Sequence, residues 1–465
     1  MSKWIAICCG VLMSSAVLAA VNTREESRKF QQFELKVPDV TLAMLYPDYW
    51  INLLKDPDLL LMTEAEITTY NRRQFAAVPT LVELNDYPET LEGTKLLEAI
   101  DSISSTDGKE LTPEVARQLT EAANRRGIHQ QNPVRWGLIV NRSNVRTFPT
   151  RQSYVNPEMD SEVDLFQETC LFIGEPVAIL HTSGDGQWFL VQSYNYLGWI
   201  PVLDVAVGDR QTVLNYKNAE DVLVVTGAKV ETAMVPDDEQ LSLRCLEMGS
   251  RYPLSDEVPD SVNGMSPYSG FVIRLPVRNA DGTLQLNDAL VSRSADVNIG
   301  YLPYTRRELI RQLFKFLGER YGWGHGNLAR DCSGYVNDVF KVFGLVLPRN
   351  GGEQQNDAIG LTFDFGKLNL EERVALLKTM LPGDVLFTPG HVMVYLGTSA
   401  DGEPFMIHDT IGIAFMRDDV RQSLELRGVS VTPVVPLLAG KRHYLEFFQT
   451  GRRFVLPDAA GENRQ

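Results

Sequence analysis

The spacing of hydrophobic residues changes along the chain, and its last third carries the clearest helix. The apolar residues from Val336 to Phe343 recur at i, i+3, i+4 and i+7, and Gly344 follows as a helix end. Later apolar runs, bounded by Gly, Pro and Asp, are typical of strands and lie at residues 382–387, 390–397, 405–408 and 444–448. A helix followed by antiparallel strands predicts an α+β domain over residues 301–452.

Upstream of this domain the pattern predicts three further units. The polar sequence over residues 20–135 carries helix caps, such as the capping box of Thr63 and Glu66, and predicts a mainly helical segment. Short strands separated by Gly-Asp turns predict a small β-barrel over residues 136–210. A second set of short strands predicts a more diverged barrel over residues 211–300, although the two sets show no sequence repeat.

Length and charge narrow the classes of function. The chain has 465 residues, about three domains by length, and a net charge of −16. Nucleic-acid binding requires a basic surface, so we expect no nucleic-acid partner. The same charge argues against simple electrostatic adhesion to an anionic wall or membrane.

The first residues resemble a secretory signal. Lys3 precedes an apolar stretch, and Val17-Leu18-Ala19 forms a small-x-small cleavage site, which predicts a signal peptide over residues 1–19. The apolar run is too short to span a bilayer, so we expect no stable membrane anchor. The mature protein is expected to be exported, with the periplasm as its destination.

Three cysteines follow the predicted signal peptide, and they differ in setting. Cys170 and Cys245 lie in strand-like sequence, where buried apolar roles are expected. Cys332 lies in the first turn of the predicted helix, where free N–H groups and the helix dipole stabilise an anion. We therefore expect the pKa of its thiol to be lowered, as in reactive cysteines. A buried structural cysteine is the alternative.

Two histidines follow Cys332 on predicted strands and complete a possible catalytic set. A thiol nucleophile needs a base within hydrogen-bond reach and a group that orients the base, and His391 and His408 can fill these roles. Ligand spacings such as C-x-x-C or H-x-x-x-H, typical of zinc sites, do not occur in the sequence. We therefore expect neither a metal nor a cofactor.

Several short motifs in this region resemble the NlpC-type bacterial cell-wall cysteine peptidases. The resemblance covers about residues 303–450 and rests on motifs in order: Tyr321-Gly-Trp-Gly324, Asp331-Cys-Ser-Gly334, Leu347-Pro-Arg349 with Gln354, Pro382-Gly-Asp384, Gly390-His391-Val392 and Tyr395-Leu-Gly397. It implies a papain-like α+β catalytic domain. The two predicted barrels resemble the bacterial SH3-like domains found upstream in this family.

The resemblance also implies roles for individual residues. Cys332 matches the nucleophile, His391 the general base and His408 the residue that orients it. The implied reaction is hydrolysis of the γ-D-glutamyl bond to a diamino acid, usually meso-diaminopimelate, in peptidoglycan stem peptides. Tyr321 matches a tyrosine that helps to hold the oxyanion. The neighbours of the nucleophile, Asp331 and Ser333, match substrate-binding positions that hold a free N-terminal L-Ala amine and nearby groups.

Other interpretations stay open at this point. Asp331 is also a plausible helix N-cap, and the two roles are compatible. His325 has no assigned role and is interpreted as a loop residue. The same fold includes amidases and acyltransferases, and a wall-binding protein that acts through its SH3-like domains is a further alternative. In similar peptidases the first SH3-like domain closes the upstream end of the cleft, which explains a requirement for a free amine.

Overall fold

The computed structural model describes residues 36–104, 111–156, 160–356 and 359–457, so the predicted signal peptide lies outside the described residues. The α-helices span Pro47–Ile51, Glu64–Ala77, Gly93–Ile103, Pro113–Ala122, Arg210–Lys217, Arg306–Phe314, Cys332–Lys341, Gly351–Gln355 and Leu370–Thr379. Short strand pairs join Leu60–Met62 to Tyr304–Thr305, Thr90–Glu92 to Gln131–Pro133, and Leu438–Ala439 to Arg442–His443. In these ranges, no helix is both long enough and apolar enough to cross a membrane.

The N-terminal helices divide between two hydrophobic cores. Helix Glu64–Ala77 begins at the predicted capping box, in which Thr63 and Glu66 exchange hydrogen bonds. Residues up to Tyr70 join the core of the C-terminal domain, where the Trp50 ring lies 5.4 Å from that of Phe405. Residues from Leu84 onward pack instead against the following sheet. The predicted segment 20–135 is thus part of two packing units.

The first β region is a seven-stranded antiparallel sheet. Its strands, in spatial order, are Val205–Gly208, Arg135–Ile139, Pro176–Thr182, Trp188–Gln192, Leu197–Pro201, Ser143–Arg146 and Gln167–Leu171. Trp188 and Trp199 are both buried in its core. They therefore pack the interior of this unit.

The second β region, residues 222–299, has its own apolar core but no continuous large sheet. Its strands are Val222–Val225, Lys229–Glu231, Cys245–Glu247, Arg251–Pro253, Gly270–Arg278, Leu284–Ser292 and Val297–Ile299. Isolated bridges from Thr232 to Val291 and from Leu254 to Ile273 connect its separate sheets. The interpretation of this region as a second SH3-like barrel stays a prediction.

The C-terminal domain packs a helix against an antiparallel sheet, in the predicted α+β order. The sheet has six strands, in the spatial order Leu361–Asp364, Thr450–Arg453, Val385–Thr388, His391–Thr398, Pro404–Arg417 and Val420–Pro433. Helix Cys332–Lys341, called here the nucleophile helix, buries Tyr335, Val336 and Phe340 against this sheet. The prediction of a last strand at 444–448 is wrong, because Tyr444–Phe447 forms a 3₁₀ turn and the last strand follows it.

Candidate active site

Cys332 is the first residue of the nucleophile helix and is half-buried. The helix begins there because the Asp331 carboxylate accepts a 2.8 Å hydrogen bond from the backbone N–H of Gly334. The backbone N–H of Val392 lies near the Cys332 sulfur and acts to lower the pKa of the thiol, and Cys332 packs against the apolar cluster that contains Val392. This contact brings the sulfur to the start of the strand on which His391 is the first residue.

The two predicted histidines form a hydrogen-bonded chain. His391 Nε2 lies 2.9 Å from His408 Nδ1, and His408 Nε2 lies 3.0 Å from the hydroxyl of Thr432. If each Nε2 carries the proton, His391 donates to His408 and His408 donates to Thr432. This assignment leaves His391 Nδ1 free to accept a proton. Thr432, on the neighbouring strand, is a third member that the sequence analysis missed.

The predicted lowering of the Cys332 pKa is wrong. Burial, followed by the nearby Asp331 charge, raises the pKa of Cys332 to about 12, despite the opposing effect of the Val392 backbone N–H. Burial also lowers the pKa of His391 to about 4. The thiol and the imidazole are therefore both neutral at pH 7, because desolvation dominates the pKa shift of each group. Such a base takes the thiol proton as the nucleophile attacks.

Arg349 connects the two predicted substrate-binding neighbours of the nucleophile. Its Nη2 lies 2.7 Å from an Asp331 carboxylate oxygen, and its Nη1 donates to the Ser333 hydroxyl at 2.9 Å. Its Nε donates to the Thr169 hydroxyl of the first β region at 2.6 Å. The structure thus brings Asp331 and Ser333 together on one guanidinium, although only the resemblance had singled out this pair.

Two tyrosines lie close to the nucleophile. The pKa of Tyr321 is raised by burial and then by Cys332 and Asp331, so the predicted oxyanion residue is near both groups and stays protonated. Burial raises the pKa of Tyr444 to about 12, and Cys332 adds to this effect. The Tyr444 hydroxyl lies 3.3 Å from that of Thr388, whose strand pairs with His391. Tyr444 was not predicted, because it follows the sheet at the far end of the domain.

The first β region contributes a carboxylate to the same area. Glu168 accepts hydrogen bonds from the hydroxyls of Tyr196 and Thr147, at 2.5 and 2.8 Å. Asn350, the neighbour of Arg349, lies near the Tyr196 hydroxyl, and both Asn350 and Arg349 act to lower the pKa of Tyr196. Glu168 is therefore adjacent to the Arg349 cluster, and it could not be predicted from sequence because it comes from another domain.

Asp409 is a further buried carboxyl group at the site. It is 1% exposed, and within the described ranges neither of its side-chain oxygens has a hydrogen-bond partner. Burial, followed by the charges of Asp331 and Glu319, raises the pKa of Asp409 to about 9. This side chain is therefore a neutral carboxylic acid at pH 7.

His325 is on a loop, as predicted, but its side chain is buried and has a structural role. Its side chain is 3% exposed and lies between Asp338 and Arg349. A Cβ at Gly334 would fall 1.7 Å from the His325 ring, so the glycine allows the ring to pack on the nucleophile helix. In the part of the chain that the structure describes, no group of three or more His, Cys, Asp or Glu residues is arranged to hold a metal ion.

A cysteine at a helix N-terminus, near a histidine pair on an antiparallel sheet, provides the thiol, the base and the orienting group that a cysteine peptidase requires. Residues 318–424 match the NlpC/P60 family, and residues 152–201 match an SH3 domain of the SH3b1 type. The C-terminal part of this chain is thus an NlpC/P60 domain, from a family of peptidoglycan-hydrolysing cysteine peptidases, and an SH3b domain precedes it.

One relative and two solved structures are similar to this chain. A gamma-D-glutamyl-L-lysine dipeptidyl-peptidase from Bacillus cereus is 25% identical over 291 residues, 60% of this chain and 75% of that protein. The structure of an NlpC/P60 endopeptidase from Photobacterium damselae subsp. piscicida covers 87% of this chain and 96% of its own, with a TM-score of 0.70 and 20% identity. An NlpC/P60 family protein from Bacillus cereus has a TM-score of 0.43 at 19% identity, covering 69% of this chain and 99% of its own. The Photobacterium likeness shows a shared fold.

Proposed function

We propose that this protein is an exported cysteine endopeptidase that hydrolyses the γ-D-glutamyl–diamino acid bond of peptidoglycan stem peptides. The observation that carries the proposal is the placement of Cys332 at the start of the strand that presents His391 and, through it, His408. The name of the Bacillus cereus relative supports the γ-D-glutamyl bond. The diamino acid is meso-diaminopimelate in the proposal, and the L-lysine in that relative's name is the competing choice.

The geometry supports a two-step mechanism. The Cys332 sulfur attacks the γ-carbonyl carbon of D-Glu while its proton moves to His391 Nδ1. Tyr321 donates a hydrogen bond to the oxyanion, and His391 then protonates the leaving amine of the diamino acid. Water, deprotonated by His391, hydrolyses the thioester and regenerates the thiol. His408 and Thr432 hold His391 in the required tautomer.

The first β region supports selection of peptides with a free L-Ala amine. Its Thr169 contacts Arg349, and Arg349 in turn holds Asp331, so this region lies against the nucleophile's neighbours. Arg349 already compensates the Asp331 charge, whereas the hydrogen-bond donors to Glu168 are neutral hydroxyls. We infer that an ammonium group binds beside Asp331 with Glu168 as a second carboxylate.

The test compares cleavage of L-Ala-γ-D-Glu-diaminopimelate with its N-acetylated form. Losing one partner of a buried ion pair costs on the order of 3–5 kcal/mol, so acetylation should lower kcat/KM by roughly 100-fold or more. Glu168→Gln should reduce the difference in kcat/KM between the free and the acetylated peptide. The control is Glu162→Gln, which changes a surface residue of the same region and should leave that difference unchanged. Equal rates for both peptides would show that the cleft is open upstream. A peptide with L-lysine in the third position decides between the two diamino acids.

A further inference from the structure

Arg330, two residues before the nucleophile, is held by carboxylates from three parts of the chain. Its guanidinium donates to Asp338 at 2.9 Å, to Glu319 at 2.8 Å and to Glu247 at 2.9 Å. The Arg330 side chain is only 1% exposed. Burying this charge is unfavourable unless all of its donors are paired, so the three carboxylates fix the position of the chain just before Cys332.

Glu247 is the contribution of the second β region to this cluster. It ends strand Cys245–Glu247, and its side chain is 3% exposed. Its other oxygen accepts from Arg142 Nε at 2.5 Å, and Arg142 also donates to the backbone carbonyl of Ala329 at 3.0 Å. One carboxylate of the second β region thereby ties an arginine of the first β region to the segment that precedes the nucleophile.

The hydrogen bonds continue from Arg330 through Asp338 and His325 to Arg349. Asp338 also lies 3.3 Å from His325 Nε2, and His325 Nδ1 lies 2.9 Å from Arg349 Nη2. Because an arginine only donates, His325 Nδ1 is an acceptor, and its Nε2–H donates to Asp338. His325 is thus held in one tautomer between an anion and a cation. Arg349 then reaches Asp331 and Ser333.

We propose that Glu247 is a positioning residue for the active site, acting through Arg330, Asp338 and His325 on Arg349. The second β region would then be part of the catalytic geometry, in addition to any role in binding the cell wall. If Glu247 loses its charge, Arg330 shifts toward Asp338. The hydrogen bond that His325 donates to Asp338 then weakens. Arg349 then holds Asp331 less firmly and leaves its charge uncompensated beside Cys332. A peptidase assay of the role of Glu247 rests on the proposed function. Alkylation of the Cys332 thiol does not, so the two can fail separately.

The first test measures alkylation of Cys332 by iodoacetamide against pH in Glu247→Gln, reading the Cys332 peptide by mass spectrometry to separate it from Cys170 and Cys245. An uncompensated Asp331 disfavours the thiolate, so alkylation at pH 8 should be about tenfold slower than in the wild type. The matched control is Asp288→Asn, which removes a carboxylate of the same region whose arginine partner, Arg274, is also in that region. An unchanged or faster rate in Glu247→Gln would overturn the proposal.

The second test keeps the proposal falsifiable if Glu247→Gln does not fold. His325→Leu removes both hydrogen bonds of the ring, whereas His325→Gln keeps one acceptor and one donor. Alkylation and, where the peptide is cleaved, kcat/KM should fall about tenfold in the leucine variant and recover in the glutamine variant. Equal decreases in the alkylation rate of both variants, or no decrease in either, would contradict the proposed connection from Glu247 through His325 to Arg349. If Cys332 of the wild type is alkylated normally but the protein cleaves no stem peptide, the proposed function is refuted. The alkylation rates of the variants still decide whether Glu247 positions the site.

Discussion

At the scale of single residues, the proposed nucleophile and its proposed base are both neutral at pH 7. Burial raises the pKa of Cys332 to about 12 and lowers the pKa of His391 to about 4. This differs from cysteine peptidases that keep a thiolate–imidazolium pair before substrate arrives. Reactivity in the present site therefore depends on proton transfer during attack.

This state predicts how Cys332 reacts with a small neutral reagent. Alkylation by iodoacetamide follows the thiolate fraction, so its rate at Cys332 should rise about tenfold per pH unit between pH 7 and pH 10. Mass spectrometry of the Cys332 peptide gives the rate, and the buried Cys170 serves as an internal reference. A plateau that begins below pH 7 would show a preformed ion pair.

The sequence predicted the grouping of Cys332, His391 and His408 better than their ionisation, and their catalytic roles stay a prediction. Cys332, His391 and His408 were found because their order and local motifs are visible in one stretch of chain. The sign of the Cys332 pKa shift was not, because a helix N-terminus is a local feature and burial depends on the whole fold. Arg349 lies in the Leu347-Pro-Arg349 motif, but no role could be predicted for it, because its partner Thr169 is 180 residues away in the sequence.

At the scale of elements, the strand Val420–Pro433 completes the hydrogen-bonded chain of His391 and His408 through Thr432. The hydroxyl of Thr432 is fully buried and is the partner of His408 Nε2. Without it, a buried ring N–H is left unsatisfied, which costs about 1–3 kcal/mol.

Thr432→Val should therefore lower kcat about tenfold or more, with little change in KM, because the base loses its orientation and not its substrate contacts. Thr432→Ser keeps the hydroxyl and should retain most of the activity. Steady-state kinetics of both variants on one peptide measure the effect. A valine variant as active as the serine variant would remove Thr432 from the catalytic chain.

Helix positions were easier to predict than strand ends. The nucleophile helix has a clear apolar face and a polar N-cap in Asp331, and both are present in the structure. The strand predicted at 405–408 is part of a long hairpin, Pro404–Arg417 with Val420–Pro433. The outer half of the second strand, residues 420–425, is largely exposed and polar, so the apolar pattern does not reach it, whereas Ile413, Ala414 and Phe415 of the first strand are buried.

At the scale of the whole molecule, the upstream regions are built around the catalytic domain. Residues near Trp50 share its core, and buried ion pairs join Glu247 of the second β region to Arg330. Neither connection could be predicted, because each joins residues far apart in sequence. The first β region precedes the α+β domain, as expected, whereas the predicted division of the upstream chain into three units stays a prediction.

Export belongs to the same scale, and the proposal that residues 1–19 are a cleaved signal predicts a defined mature end. The secreted protein should begin at or near Ala20. N-terminal sequencing of the protein recovered from a periplasmic fraction checks this, with Lys3→Glu as a variant that should slow export. Recovery of a cytoplasmic protein that retains Met1 would refute the proposed export.

The central claim is that Cys332 hydrolyses a γ-D-glutamyl bond, and mass spectrometry of the products tests it most directly. Incubation of wild type with L-Ala-γ-D-Glu-diaminopimelate should give L-Ala-D-Glu and free diaminopimelate. Cys332→Ala, with an unchanged melting temperature, should give no product above background, because covalent catalysis has no alternative nucleophile in this site. Cleavage at another bond, or activity near wild type in Cys332→Ala, would contradict the account.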